Sequence, residues 1–174
     1  MGRAQFLAGG GEMGARIRAF DWAGTPLGVP DEWPSALRTL VGVMLGSGQP
    51  MFVAWGAGRT MLYNDGYAPL CGLKHPWALG RPFDEVWADI LDVVGPIMDR
   101  AYAGVPTHMD DIEFTMTARR GYPEETHFSF SYTPVRDDRG AVAGTFCACA
   151  ETTDRVFTER RLRFLFELSE RLRG

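Results

Sequence analysis

At 174 residues, 45% apolar and 23% charged, the chain suits one domain with flanking helices. A chain of this size buries about two-thirds of its unfolded surface, so a core needs neither disulfides nor metal. Eighteen basic against 22 acidic side chains give a net charge of −4, unlike a basic nucleic-acid binder, and no apolar run approaches the roughly 20 residues that cross a bilayer.

Gly9-Gly10-Gly11 is a flexible break, after which Met13, Ile17 and Phe20 fall at helical spacing over residues 12–22. Two prolines and two glycines over residues 24–30 demand a loop. Pro34-Ser35 opens a second helix carrying Leu37, Leu40, Val41 and Met44, with Ser35 as N-cap or first-turn residue. Residues 51–55 and 60–63 are β-rich runs around Gly56-Ala57-Gly58-Arg59, the pattern of a hairpin. Short helical turns over 65–71 and 75–79 end at Gly72 and Gly80. Residues 83–102 show the clearest helical face, with Val86, Trp87, Ile90, Val94, Ile97, Met98 and Ala101 on one side. Gly95-Pro96 interrupts it and predicts two helices, or one sharp kink, at that point.

Period 2 then takes over. Ile112, Phe114 and Met116 alternate with polar residues, as do Phe128, Phe130 and Tyr132; Val142, Gly144, Phe146 and Ala148 alternate with Ala143, Thr145, Cys147 and Cys149. Turns at 119–123 and 137–140 join these runs. The order of two strands, helices and three strands predicts an α+β fold: a five-stranded antiparallel sheet with helices on one face, an N-terminal helical extension and a C-terminal linker helix.

Several punctuating residues fit a known pattern. Asn64, the only asparagine, begins Asn64-Asp65-Gly66-Tyr67-Ala68-Pro69-Leu70-Cys71-Gly72; Leu79-Gly80-Arg81-Pro82-Phe83 leads into the long helix; Pro134-Val135 precedes Asp137, Gly140, Val142 and Gly144. Over roughly residues 48–154 these strings resemble the PAS sensory domain. The resemblance implies that Asn64 holds the turn after the second strand and that Gly72, Gly80, Pro134 and Gly140 mark its other turns. Thr25-Pro26-Leu27-Gly28, Glu32-Trp33-Pro34, Lys74-His75-Pro76, Gly121-Tyr122-Pro123-Glu124-Glu125 and residues 128–132 extend the likeness to the PAS input domains of bacterial multidomain (hybrid) sensor histidine kinases. Two departures stand out. Arg120-Gly121 replaces the usual Asp-Gly, and Glu151-Thr152-Thr153 loosely matches the closing Asp-aliphatic-Thr, leaving open whether an acid-to-arginine latch closes the sheet.

Catalysis has little to stand on: three scattered histidines, no nucleophile elbow, no ATP-binding glycine boxes and no phospho-acceptor histidine in a helix pair. No catalytic residue is assigned. For metal, alternation puts His108 and Asp110 on one strand face and Asp111 and Glu113 on the other, which splits the set, and Cys147 and Cys149 lack a second pair. No metal site is expected. Cofactors stay unknown. Cys71 lies in Leu70-Cys71-Gly72-Leu73 rather than the photoactive flavin string, and residues 83–102 hold no histidine for haem, so neither group is expected. Trp87, Ile90, Met98, Tyr102, Phe114, Met116, Phe128, Phe130 and Phe146 are the candidate walls of a small-molecule cavity, with His127, Ser131 and Tyr132 as polar anchors, although an aromatic stripe at strand spacing is more often plain core.

The chain divides into an extension at 1–47, a PAS domain at 48–153 and a linker helix at 154–174 that reads as truncated. Leu162, Leu165, Leu168 and Leu172 form a seam suited to a second helix, although folding back on the sheet would also bury it. The implied function is a non-catalytic, cytoplasmic sensory input domain of a two-component phosphorelay. It would act as a homodimer joined to downstream signalling domains of the same chain, with a small-molecule ligand and with neither nucleic acid nor membrane as partner. The alternative is a ligand-free dimerisation scaffold.

Overall fold

The computed structural model describes residues 5–117 and 119–173. Its elements run α1 (Gly11–Ala19), α2 (Ser35–Gly46), β1 (Met51–Trp55), β2 (Thr60–Tyr63), α3 (Ala68–Cys71), α4 (Phe83–Val86), α5 (Leu91–Tyr102), β3 (Thr107–Met116), β4 (Glu124–Arg136), β5 (Val142–Glu151) and α6 (Thr153–Arg173). Short 3-10 turns, including Trp22–Gly24 and Pro30–Glu32, punctuate the N-terminal loop. Ser35 is the first residue of α2 rather than its cap, because Pro34 takes the cap position without a side-chain bond.

The five strands form one antiparallel sheet in the order β2-β1-β5-β4-β3. Helix α5 packs across β3, β4 and β5, while α2 packs against β1 and β2. Every hairpin residue from Phe52 to Trp55 and Thr60 to Tyr63 is buried, so both faces of that hairpin are covered. The extension shares this core through Met13, Ile17, Trp22, Trp33 and Leu37. Its first helix is capped from afar: Asp65 accepts the N–H groups of Glu12 and Met13 at 3.2 and 2.7 Å, placing a carboxylate at the positive end of α1. Glu12 in turn meets His75, whose other ring nitrogen lies 2.8 Å from the Tyr63 hydroxyl.

Three sequence expectations need correcting. The long helix breaks at Trp87–Ile90, where α4 passes through a 3-10 turn into α5, and not at Gly95-Pro96. Pro96 is the sixth of the twelve residues of α5 and is exposed, as is Asp92, whose carbonyl the missing N–H would have bonded; water can serve that carbonyl instead. On β5 the buried face carries Thr145, Cys147 and Cys149, and Phe146 lies half-buried on the other. On β3 the alternation is broken. Register against β4 shifts between Met109 and Ile112, and Asp111 adopts φ 50°, the mark of a bulge. The extra residue brings His108 and Glu113 onto the same outer face, facing Ser131 and His127 respectively.

Asn64 is the most heavily bonded side chain in the molecule's turns. Its Oδ1 accepts from Met51 N and Tyr67 N, each at 3.1 Å, and its Nδ2 lies 3.0, 3.2 and 2.8 Å from the carbonyls of Met44, Ser47 and Gln49. One buried amide thus ties α2, the start of β1 and the turn before α3 together. Gly72 ends α3 at φ 55°, with the Arg119 carbonyl 2.4 Å from where a Cβ would stand, so only glycine fits. Gly80 follows the turn after Pro76 and meets the Phe20 ring; Pro134 lies on β4 opposite Thr145; Gly140 closes the turn capped by Asp137.

Candidate functional site

Between α5 and the inner face of the sheet lies a cavity of about 40 Å³, lined by Phe52, Tyr67, Leu70, Trp87, Ile90, Val94, Phe114, Met116, Phe128, Phe130, Tyr132, Cys147 and Cys149. The inward side of each strand supplies its wall: alternation puts Phe128, Phe130 and Tyr132 on one face of β4, and the register of β5 sets Cys147 opposite Tyr132 and Cys149 opposite Phe130. The roof comes from Trp87, Ile90 and Val94, three and four residues apart across the break into α5. Burial pushes the Tyr67 and Tyr132 phenols and the Cys147 thiol well above their usual values, so they stay neutral hydrogen-bonding groups. The chemistry on offer is shape and weak polarity, not acid–base work or nucleophilic attack.

Six of the nine wall candidates line this cavity: Trp87, Ile90, Phe114, Met116, Phe128 and Phe130. Met98 is fully buried in the core without lining the cavity, and Phe146 stands on the outer face. Tyr102 ties the end of α5 to the hairpin, its hydroxyl donating to the carbonyls of Ala54 and Gly56 at 3.2 and 2.9 Å, with the Arg59 guanidinium over its ring. Of the anchors, Tyr132 faces inward. His127 and Ser131 face outward, to Glu125 and His108. Phe52, Tyr67, Leu70, Val94, Cys147 and Cys149 escaped the sequence reading as wall residues, although Val94 shares the helical face already marked by Trp87 and Ile90. Cys71 is buried away from the lining, and its thiol is pushed up to about 12 by burial.

At the far end of β5 the chain leaves the sheet through a set of ion pairs. Arg119 closes a fork on Glu151, Nη1 to Oε2 and Nη2 to Oε1 both at 2.9 Å, and also bonds Glu124 through Nε at 2.6 Å. The acid-to-arginine latch is therefore present, with the longer glutamate in place of aspartate. Burial would raise the Glu151 carboxyl, but the Arg119 fork outweighs it and holds the group below its ordinary value. Thr153 Oγ1, at the first residue of α6, accepts the His127 N–H at 2.9 Å and donates to Glu151 at 3.0 Å. Two arginines of α6 reach back: Arg155 to Asp111, and Arg160 to Glu125 at 2.7 Å. Arg160 and His127 together bring the Glu125 carboxyl down to about 2.

Beyond these two turns α6 stands clear. Leu162, Phe164, Leu165, Phe166, Leu168 and Leu172 are all exposed, Leu172 by 80%, so the helix does not fold back on its own sheet. No described helix is long and apolar enough to cross a membrane.

A family model described as the PAS fold matches residues 46–156, more than half of the chain. The chain belongs to the PAS family. PAS domains are generally non-catalytic sensory modules. Among solved structures, an RNA-binding light-oxygen-voltage receptor superposes with a TM-score of 0.54 at 20% identity, over 84% of this chain and 41% of its own. The PAS domain of Bordetella pertussis BvgS gives 0.51 at 22%, over 72% of this chain and 92% of that domain. The phage VqmA–DPO complex gives 0.51 at 20%, covering 76% and 59% of the two chains. A comparison with curated proteins finds no match. At these identities the likeness is one of fold, and the chain spans less than half the length of the RNA-binding receptor.

Proposed function

We propose that this PAS domain is the cytoplasmic, non-catalytic input module of a bacterial two-component sensor histidine kinase. In this reading it is a homodimer that passes a conformational bias from its roof to downstream domains through α6. One observation carries the proposal: α6 is pinned to the sheet at its first two turns and leaves a row of leucines and phenylalanines in water afterwards. A lone helix gains nothing from such a face, and a second copy running alongside would bury it. A signal that moved α5 against β3–β5 would reach the latch through the same strands, since Glu151 ends β5 and Arg119 follows β3. Sedimentation equilibrium tests the pairing: the wild type should be dimeric and a Leu162→Glu/Leu165→Glu variant monomeric with the fold intact. A monomeric wild type would overturn the reading.

The cavity size bears on what this domain binds. About 40 Å³ has room for a few atoms, against several hundred in a drug-sized site, and no wall residue is an asparagine or glutamine. We read so small a space as favouring a ligand smaller than a tricyclic flavin, although a light-oxygen-voltage receptor shares the fold. A ligand-free interaction module and a sensor that opens on binding both agree with so small a space. Native mass spectrometry of freshly purified protein separates them: a retained small molecule supports sensing, and the bare chain mass supports the scaffold.

A further inference from the structure

Glu113, Glu125 and His127 stand together on the outer face of the sheet, away from the cavity. Glu113 and His127 are direct cross-strand neighbours, and Glu125 lies two residues before His127 on the same side of β4. One donor atom from each falls within 4.8 Å of the others. The bulge at Asp110-Asp111 creates this arrangement, because its extra residue turns Glu113 onto the face that His127 already occupies.

His127 is held as a ligand would be. It is only 6% exposed, its backbone N–H is fixed by Thr153, and its Nδ1 lies 3.1 Å from the Asp111 carbonyl. Its Nδ1 gives one ring N–H to that backbone carbonyl and its Nε2 gives the other to Glu125, 2.7 Å away; the carbonyl bond orients the ring, and Nε2 becomes a metal ligand once it gives up the proton it now shares with Glu125. Glu113 is exposed, so the group opens to solvent on one side.

We propose that Glu113, Glu125 and His127 bind a divalent transition-metal cation of the zinc class, in competition with the Arg160 guanidinium for Glu125. One imidazole and two carboxylates suit a borderline ion, with water completing the shell; magnesium and calcium prefer all-oxygen surroundings. Arg160 now supplies the positive charge beside Glu125, through Nη2 at 2.7 Å and Nη1 at 3.3 Å. A cation taking that carboxylate releases one of the two arginine ties between α6 and the sheet. The site depends neither on the cavity nor on pairing of α6.

Calorimetric titration of the full chain with zinc chloride, in a non-chelating buffer, tests it. One zinc per chain is expected, with magnesium chloride giving no heat of binding. Glu113→Gln, at an exposed position, should weaken zinc by about tenfold or more, the scale seen when a metal's supporting groups are lost. Arg160→Gln should tighten it by about two- to fivefold, the worth of a half-exposed ion pair. His108→Ala should leave it unchanged. Absence of stoichiometric binding, equal affinity in the wild type and Glu113→Gln, loss in His108→Ala, or weaker binding in Arg160→Gln would each overturn the proposal.

Discussion

Replacing Asn64 by alanine removes the amide that joins three parts of the fold. Its oxygen serves Met51 N–H and Tyr67 N–H, and its nitrogen donates among three carbonyls, all at a site 2% exposed. Tyr67 N–H keeps a second acceptor in the Asn64 backbone carbonyl at 3.1 Å, and the Met44 carbonyl keeps the Ser47 N–H at 3.3 Å, so the loss falls on Met51 and on the carbonyls of Ser47 and Gln49. With about 1 kcal/mol for each net bond and more for each buried group left bare, the substitution should cost about 2–4 kcal/mol. Urea unfolding should show the midpoint falling by about 1–2 M at constant slope, for a slope near 2 kcal/mol/M. Asn64→Asp sharpens the test. The new carboxylate keeps both acceptor bonds but turns its other oxygen against three carbonyls, so at pH 7 it should be worse than alanine. Burial among acceptors raises that carboxyl in the folded state, which then holds the extra proton; the penalty relative to alanine should shrink as pH falls. A loss below about 1 kcal/mol in the alanine variant, or an aspartate variant no worse than alanine at neutral pH, would refute the bonding account.

Further outcomes follow from the other contacts. Glu151→Gln should cost about 1–2 kcal/mol near neutrality. Because the native carboxyl lies below its ordinary value of 4.5, that difference should persist above this pH and fade as pH drops through the folded value; a pH-independent difference in thermal unfolding would speak against the latch. Asp65→Ala removes the cap on α1 and should weaken its docking by about 1–2 kcal/mol, read as faster tryptic cleavage at Arg16 and Arg18; unchanged cleavage would count against the cap. Val94→Ile adds one methylene to the cavity and should gain up to about 1 kcal/mol, whereas a clear loss would mean that the space is already filled.

The hairpin, the amphipathic run before β3 and the alternating strands were legible because each carries a strong period bounded by glycine, proline or aspartate. Asn64 was legible for another reason: its position in a turn motif implied a local bond, which the structure shows together with four more. The bulge was not. Asp110 and Asp111 suit solvent equally well, so hydropathy holds no trace of the extra residue, and only pairing with β4 reveals it. The inward face of β5 was hidden because Phe146 marked the opposite face as the apolar one, while the threonine and two cysteines that are buried carry a weaker signal. Pro96 misled because its cost depends on where the freed carbonyl points. The Asp65 cap joins residues 52 and 53 positions apart, a contact no local pattern encodes.

Spin-label distances along α6 test most directly whether the exit helices pair. The native cysteines are all buried, so single Arg163→Cys, Glu167→Cys and Arg171→Cys variants, one turn apart on one helix face, take labels selectively. Parallel pairing gives inter-protomer separations equal within about 5 Å at all three sites; in an antiparallel or splayed pair, the steps of about 6 Å between sites along the axis pull the separations apart. Equal separations are the predicted result. A steep trend along the helix, or no dipolar coupling at all, would contradict a dimer that hands its signal down two helices running side by side.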